Sequence, residues 1–530
     1  MHGHLEDEIM EAIDSNDLED TTMADLGLDA LPVVVGIADG EPPASARGPG
    51  FPTTNWAGNI LWSAADVALP ESIDELCALV QEAEGRVRVV GRSHSFTPAA
   101  DTDGLLMSMV RMQDVLDFDD EAGTITVEGG TTYTVINDFL KDKNWAVKNL
   151  ATLPHFTVAG SASMGTHGSS GVGDDGRAKL GNQASQISAI EFVLPDGSLR
   201  SYDASSEVFA GVGVALGCLG PISKITLDLT PRYNVVQAVY IDISLDSVLE
   251  HFREMVESVD SFSWLVDWPR REESADMAAL EGVLGRNRLL VRTFVDPDVT
   301  TPPELPEERW GGRLYDPETM GEAIQSSGLV VGPWFDLMNT YGAGLPMSSE
   351  GGGRGTEEDG DAYGLNGTYE TREVQVEYFV PLDRAEEALA ICAEVCGKWS
   401  YDVFLITELR AIRGDDMWLS PTRDTDSLVI HFSMNKHNIP GVISASGELE
   451  AALVPLSCKP HWGKLHHMGH QTLTGEYGEE AMEKFRALCL DHDPEGVYRN
   501  EWFERLIFGE SEDDHLSLVL PAEVVEQEQE

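Results

Sequence analysis

The chain has 530 residues, 42% of them hydrophobic, and a formal charge of −57 with a pI near 4.3. That length can bury more than one core. The apolar content excludes a disordered chain, and the charge argues against nucleic acid or an anionic membrane as a partner. Acids recur along the whole sequence (Asp117, Asp119, Asp120, Glu121; Glu272, Glu273; Glu357, Glu358, Asp359). Molar salt screens such self-repulsion within about 3 Å, so the expectation is a halophilic protein of a KCl-rich cytoplasm, and a monomer.

Residues 1–52 read as an acidic extension ending in GEPPASARGPG. Ile73, Leu76, Leu79 and Val80 fall at helical spacing behind Ser72, a good N-cap. Val87, Val89 and Val90 then form a short β-branched strand. Gly91 ends it, and Arg92, Ser93, His94 and Ser95 follow as a polar turn. A glycine here lets backbone N–H groups face a ligand, and such a nest suits a pyrophosphate. Judged on residue type alone, His94 reads as an ordinary hydrogen-bonded loop residue.

Thr124–Glu128 alternates as a strand, and Gly129-Gly130 turns into a helix near Tyr133–Lys143. Residues 150–171, LATLPHFTVAGSASMGTHGSSG, place small residues (Ala159, Gly160, Ser161, Ala162, Gly165, Gly168) among hydroxyls at Thr157, Ser161, Ser163, Thr166 and Ser169. Backbone can approach a ligand closely there, and the hydroxyls can bond phosphate or ribose. The stretch fits neither GxGxxG nor GxxxxGK[ST], so neither the Rossmann nor the P-loop reading is supported. Ile187–Leu194 and Ser198–Tyr202 flank a Pro-Asp-Gly turn as a hairpin. After the Gly-rich 211–220 stretch, Ile222–Leu229 alternates as a strand and Pro231 closes this part.

From about residue 234 the pattern changes. Val235–Ile243, Leu289–Val295, Arg372–Val380, Phe404–Leu409 and Ser427–Phe432 read as strands, and Leu249–Val256 and Ala385–Val395 as helices. The expected fold class is therefore α+β with two domains, the second a mostly antiparallel sheet with helices on one face. Residues 347–361 read as a mobile acidic insertion. No run of about 18 apolar residues stands out, so no transmembrane helix is expected. The acidic N-terminus does not read as a signal peptide. The six cysteines show neither CxxC nor zinc spacing, and no metal site is expected.

Three clusters in the second half carry candidate chemistry. Glu408 and Arg410 share one face of a strand and can grip a polyol from the acceptor and donor sides, or can simply pair on a sheet surface for at most about 1 kcal/mol. His431 and Ser433 have the same spacing. His461-Trp462-Gly463-Lys464 follows.

Taken together, GRSHSF, LATLPHFTVAGSASMGTHGSSG and LGCLGPISKITLDLTP resemble the FAD-binding domain of the vanillyl-alcohol-oxidase flavoprotein family. The ordered E-x-R, H-x-[ST] and H-W-G-K clusters resemble the substrate face of its alditol and aldonolactone oxidase branch. The resemblance spans roughly residues 53–509. It implies an FAD domain over 53–233, a substrate domain over 234–470, a segment 471–509 returning to the FAD domain around Asp493–Asn500, and an acidic tail over 510–530. It further implies FAD linked covalently through His94. The implied cofactor contacts are Val89, Val90, Gly91, Arg92, Ser93, His94, Ser95, Thr152, Thr157, Gly160, Met164, Gly165, Thr166, His167, Ile222 and His461. Thr152, Glu408, Arg410, Ser433 and Lys464 would bind the substrate, Arg410 and Lys464 being the catalytic groups. The implied reaction is oxidation of a sugar alcohol or a sugar lactone, with oxygen as the electron acceptor. Thr152 stands where relatives carry Ser, and Ser433 where Thr is common. HWGK, where gulonolactone-type enzymes carry HWAK, tilts the reading toward alditols. A flavin or nucleotide binder without catalysis is the alternative from a different class.

Overall fold

The computed structural model describes residues 54–266, 268, 287–315, 329–333, 373–400 and 403–509. The acidic extension, the 347–361 insertion, Arg372 and the tail lie outside these residues. The molecule is α+β with two domains, and each contributes its own sheet system.

The first half holds a three-stranded parallel sheet and a five-stranded antiparallel one. In the parallel sheet, Leu105–Ser108 lies between Asp66–Ala68 and Val87–Val90. Helix Ile73–Glu82 packs against it through Leu76 and Val80, which meet Val87 and Met107. Ser72 caps this helix by accepting from Glu75 N at 3.2 Å. The five-stranded sheet runs Val115–Asp119, Thr124–Glu128, Ile222–Asp228, Ile187–Val193, Leu199–Asp203. Gly197 at φ 78° forms the expected hairpin turn.

Buried Arg88, on the strand leading to the polar turn, donates to the carbonyls of Leu216 (2.7 Å), Gly217 (3.1 Å) and Tyr498 (2.6 Å), and to Ala99 O. One guanidinium thus ties that strand to the 211–220 stretch and to the turn after Asp493. Asp493 orders that turn by accepting from Val497 N and Tyr498 N. Asn500 then bonds Pro98 O (2.8 Å) and Asp101 O (2.9 Å).

The second sheet is antiparallel throughout. Its order is Glu308–Arg309, Gly312–Leu314, Asn234–Ile241, Arg288–Val295, Ser261–Val266, Phe404–Ile412, Ser427–Asn435, Glu373–Pro381, Lys459–Pro460, and Val330–Pro333 also pairs with Asn234–Ile241. Period-two alternation sorts its side chains. Val374, Val376, Tyr378, Leu409, Ile430 and Phe432 join the main core, covered by helices Leu245–Glu257, Ala385–Cys396 and Ile439–Leu453. Glu373, Gln375, Glu377, Glu408, Arg410, His431 and Ser433 occupy the alternate positions and so the opposite face.

Several elements differ from the sequence expectations. Ser261–Val266 is buried at every position and was missed, although Ser261-Phe262-Ser263-Trp264 alternates over four residues before Leu265-Val266 ends the pattern. Leu105–Ser108 is likewise wholly buried. The strand expected over Val235–Ile243 ends at Ile241 because Asp242 turns to φ 61°. The helix expected to reach Lys143 ends at Leu140. The expectation of no apolar run of about 18 residues is corrected at Ile439–Leu456, which is long and apolar enough to cross a membrane. Val442, Ala445, Leu449 and Leu453 of this stretch are buried in the protein core. All six cysteines are free thiols, and all but Cys77 are buried.

Candidate active site

The turn after Val87–Val90 meets the second Gly-rich loop at its glycines. A Cβ on Gly91 would lie 2.6 Å from Thr157 Oγ1, and one on Gly160 would lie 2.8 Å from the same atom. A side chain at either glycine would therefore crowd the Thr157 hydroxyl that lies between the two loops. Thr157 caps the short Val158–Ser163 helix by accepting from Gly160 N (3.2 Å), and Met164 follows as its C-cap. Gly165, at φ 69°, turns the chain against Pro421, and Thr166 N bonds Ser161 O. Ser93 sits at φ 61° in the polar turn. Its carbonyl accepts from Trp56 N (2.8 Å), and Ser95 O accepts from Asn55 Nδ2 (2.9 Å). Ile222, which begins a central strand, presses its carbonyl against Gly129, where a Cβ would lie 2.0 Å away.

His94 stacks on Trp56 with centroids 4.9 Å apart, and it faces His155 with 3.0 Å between their Nε2 atoms. Burial, then His155, Arg92 and Lys464, hold the His94 imidazole well below its ordinary pKa. Burial and Arg92 bring His155 down to about 4.

Around this cradle, Ser93 Oγ, Thr131 Oγ1, Ser161 Oγ and both amide atoms of Gln183 are buried without a protein hydrogen-bond partner. Backbone bonds connect most of these positions: Val158 N to Thr131 O, Thr166 N to Ser161 O, Gln183 N to Thr166 O. Orphaned polar atoms gathered along two glycine-rich loops fit a dinucleotide, whose phosphates and ribose would satisfy them.

The polar face of the second sheet closes over these loops. Its register sets Glu377 beside His431 and His431 beside Glu408 across three strands, with Arg410 one pair along. Arg410 forms an ion pair with Glu408 and donates from Nη2 to Thr152 Oγ1 at 3.2 Å. Burial would raise the Glu408 carboxyl, but Arg410, His431 and Ser263 outweigh it and lower the pKa. Lys464 donates to Gln375 Oε1 and lies 4.9 Å from the Phe96 ring centre. Ser433 pairs in register with that same Gln375. Burial lowers the Lys464 pKa, opposed by Glu377 and Glu373 and assisted by Arg410.

The HWGK turn is fastened to the polar turn. Phe96 N bonds Gly463 O (2.8 Å) and Thr97 Oγ1 donates to Trp462 O (2.9 Å). His461 Nδ1 accepts from Gly463 N (3.0 Å), and burial brings its pKa down to about 3. His167, His461 and Glu377 offer ligand atoms within 4.8 Å of one another. Glu377 bonds His167 and lies by His431, and His461 Nδ1 accepts from Gly463 N. The group is a hydrogen-bonded cluster and does not read as a metal centre.

Thr152, Glu408 and Arg410 therefore meet directly, and Ser95, His461 and Lys464 gather where the two turns join. Sequence reasoning missed Glu377, Gln375 and Glu373. The signal was available, because EVQVEYF alternates charged or amide residues with β-branched and aromatic ones.

Family comparison matches residues 64–203 to an FAD binding domain and residues 307–506 to D-arabinono-1,4-lactone oxidase. The chain is 28% identical over 463 residues to alditol oxidase of Streptomyces sp., covering 86% of this chain and 99% of that protein. It is 26% identical over 462 residues to L-gulono-1,4-lactone dehydrogenase of Mycobacterium tuberculosis (86% and 98%), and 25% identical over 445 residues to L-gulonolactone oxidase of Bos taurus (83% and 93%).

Proposed function

The chain belongs to the vanillyl-alcohol-oxidase-type FAD flavoproteins, enzymes that oxidise CH–OH groups, and from that premise we propose that it oxidises a sugar alcohol of the xylitol or sorbitol kind at C1. Bound FAD supplies the two-electron acceptor and the route of those electrons to oxygen, so that R–CH2OH and O2 become R–CHO and H2O2. The turn Val89–Ser95, the loop residues Thr157, Gly160, Met164, Gly165, Thr166 and His167, and Ile222 and His461 would hold the cofactor. His94 would carry it covalently, because burial keeps its imidazole neutral and nucleophilic.

The observation that carries the reading is the joined row Thr152–Arg410–Glu408 beside Lys464. It sets donors and acceptors side by side, as a chain of hydroxyls requires. Glu408, Thr152 and Ser433 would orient the polyol. Arg410 and Lys464 would stabilise the alkoxide that develops as the C1 hydroxyl loses its proton. Burial lowers the Lys464 pKa and so suits it to take part in that transfer. An aldonolactone substrate is the second reading, favoured by the lactone-oxidase match over residues 307–506. The acidic composition supports a KCl-rich cytoplasm as the setting.

The deciding experiment mixes the holoprotein, in high KCl and without oxygen, with a panel of alditols and aldonolactones while flavin absorbance is followed. Bleaching by alditols, with colour returning in air, is the expected result. Bleaching by lactones alone would replace it with the second reading. A yellow protein bleached by nothing in the panel would overturn both.

A further inference from the structure

We propose that Glu377 is a positioning residue of this site, a buried carboxylate that clamps the cofactor loop to the substrate strand and sets the charge around Lys464. The proposal rests on the active-site reading above. Glu377 belongs to none of the three sequence clusters that mark the substrate face. It is only 3% exposed. Oε1 lies 3.0 Å from His167 Nε2, on the second Gly-rich loop, and Oε2 lies 3.4 Å from His431 Nδ1, on the neighbouring strand. Its carbonyl accepts from His461 N at 3.0 Å, at the start of the HWGK turn. One residue therefore meets three histidines borne by three separate segments, one of them 210 positions away.

The hydrogen bonds of His167 fix its role. Its Nδ1 faces Gly168 O at 2.9 Å and its Nε2 faces the Glu377 carboxylate. The ring is thus held at both edges, with Nε2 turned to the carboxylate. Burial would raise the Glu377 carboxyl, but His431 and His167 outweigh it and hold its pKa well below the ordinary range. The buried Glu377 is therefore held as a carboxylate by its two histidine neighbours, and removing those contacts leaves a buried charge uncompensated. The remaining charged groups facing this point are Glu408 and Arg410 on the Phe404–Ile412 strand, Glu373 on its own strand, and Lys464 beyond His461. Glu377 is the largest influence opposing the effect of burial on Lys464. Removing its charge thus favours neutral Lys464, and the loss of the ammonium moves to lower pH.

The test compares Glu377→Gln with Glu377→Asp in the FAD-loaded protein. E377Q is expected to keep bound flavin and a KM within about threefold of wild type, while kcat falls about tenfold to a hundredfold. The alkaline limb of its kcat profile moves down by about one pH unit or more. E377D keeps the charge and leaves that limb in place, even where the shorter side chain slows turnover. Nitrogen-15 spectra of the imidazoles in the oxidised holoprotein need no substrate. They show the His167 Nε2 signal displaced by its contact with the carboxylate in wild type and moved from that position in E377Q. A wild type that no substrate bleaches removes the functional reading and leaves the spectra to decide the clamp. Should E377Q fail to fold, E377Q/H167Q removes the pair together and is read by kcat and the pH limb alone. Unchanged kcat, pH limb and imidazole spectra overturn the proposal, as does a limb that moves equally in E377Q and E377D. Loss of flavin from every variant assigns Glu377 to cofactor retention and overturns it as well.

Discussion

Arg410 donates to Thr152 at 3.2 Å across 258 residues of sequence, joining the substrate sheet to the cofactor loop. The same guanidinium pairs with buried Glu408. Arg410→Met is therefore expected to cost on two counts. It strands a buried carboxylate, which lowers unfolding free energy by about 3–5 kcal/mol. It also removes a positive group beside the reacting hydroxyl, which lowers kcat/KM about a hundredfold to a thousandfold. Urea unfolding and steady-state kinetics on the flavin-bound fraction measure the two separately. Wild-type kinetics in R410M would sink the assigned role.

His94→Ala is expected to leave FAD bound but not linked. After acid precipitation the wild-type pellet stays yellow, whereas the H94A colour moves to the supernatant. The same variant loses the stack on Trp56, worth about 0.5–1.5 kcal/mol. A wild-type pellet that is colourless rejects covalent attachment outright.

Gly463→Ala tests whether the glycine of HWGK selects the substrate. A Cβ there would lie 3.2 Å from Ser95 Oγ and 3.4 Å from His461 Cε1. Gly463 is not among the residues with positive φ, so alanine fits the backbone, and a small shift of the serine hydroxyl relieves the contact. Turnover on alditols is expected to stay within about threefold, with the gain in backbone rigidity, about 0.4–1 kcal/mol, offset by the tight contact. A switch of preference toward lactones would show that this position selects between the two substrate classes.

Glu450 makes stability depend on pH. Burial raises its carboxyl from 4.5 to about 7, although Tyr378 Oη (3.1 Å) and His467 N (2.9 Å) donate to it. Between these two values the folded protein holds a proton that the unfolded chain has released. The contribution of this group is thus intact below about pH 4.5 and is lost as pH rises through about 7. Glu450→Gln removes the titration and keeps an acceptor. Relative to wild type, its unfolding free energy should gain about 3 kcal/mol between the acid and alkaline ends of that window. Equal pH dependence in both proteins would show that Glu450 does not titrate there.

With a formal charge of −57, the folded chain is expected to depend on salt. Exposed runs such as Asp117, Asp119, Asp120 and Glu121 repel one another once screening is withdrawn. Melting temperature should fall steadily as KCl is lowered from molar to millimolar concentrations. A flat profile would remove the halophilic reading.

The sequence determined what local chemistry can dictate. Alternation marked the strands that carry Glu408, Arg410, His431 and Ser433, and glycine spacing marked the two loops that meet at Gly91 and Gly160. A strand buried on both faces, such as Leu105–Ser108, escaped because burial on both sides erases the period. Tertiary structure alone decided which clusters meet. Sheet register placed Glu377 beside His431, and the closure of the sheet over the Gly-rich loop brought His167 to the same carboxylate. A charge on a strand reads as a solvated surface until a second domain covers that face. Covering it removes water, strengthens each ion pair and lowers the pKa of Lys464, and none of these effects is encoded in any stretch of neighbouring residues.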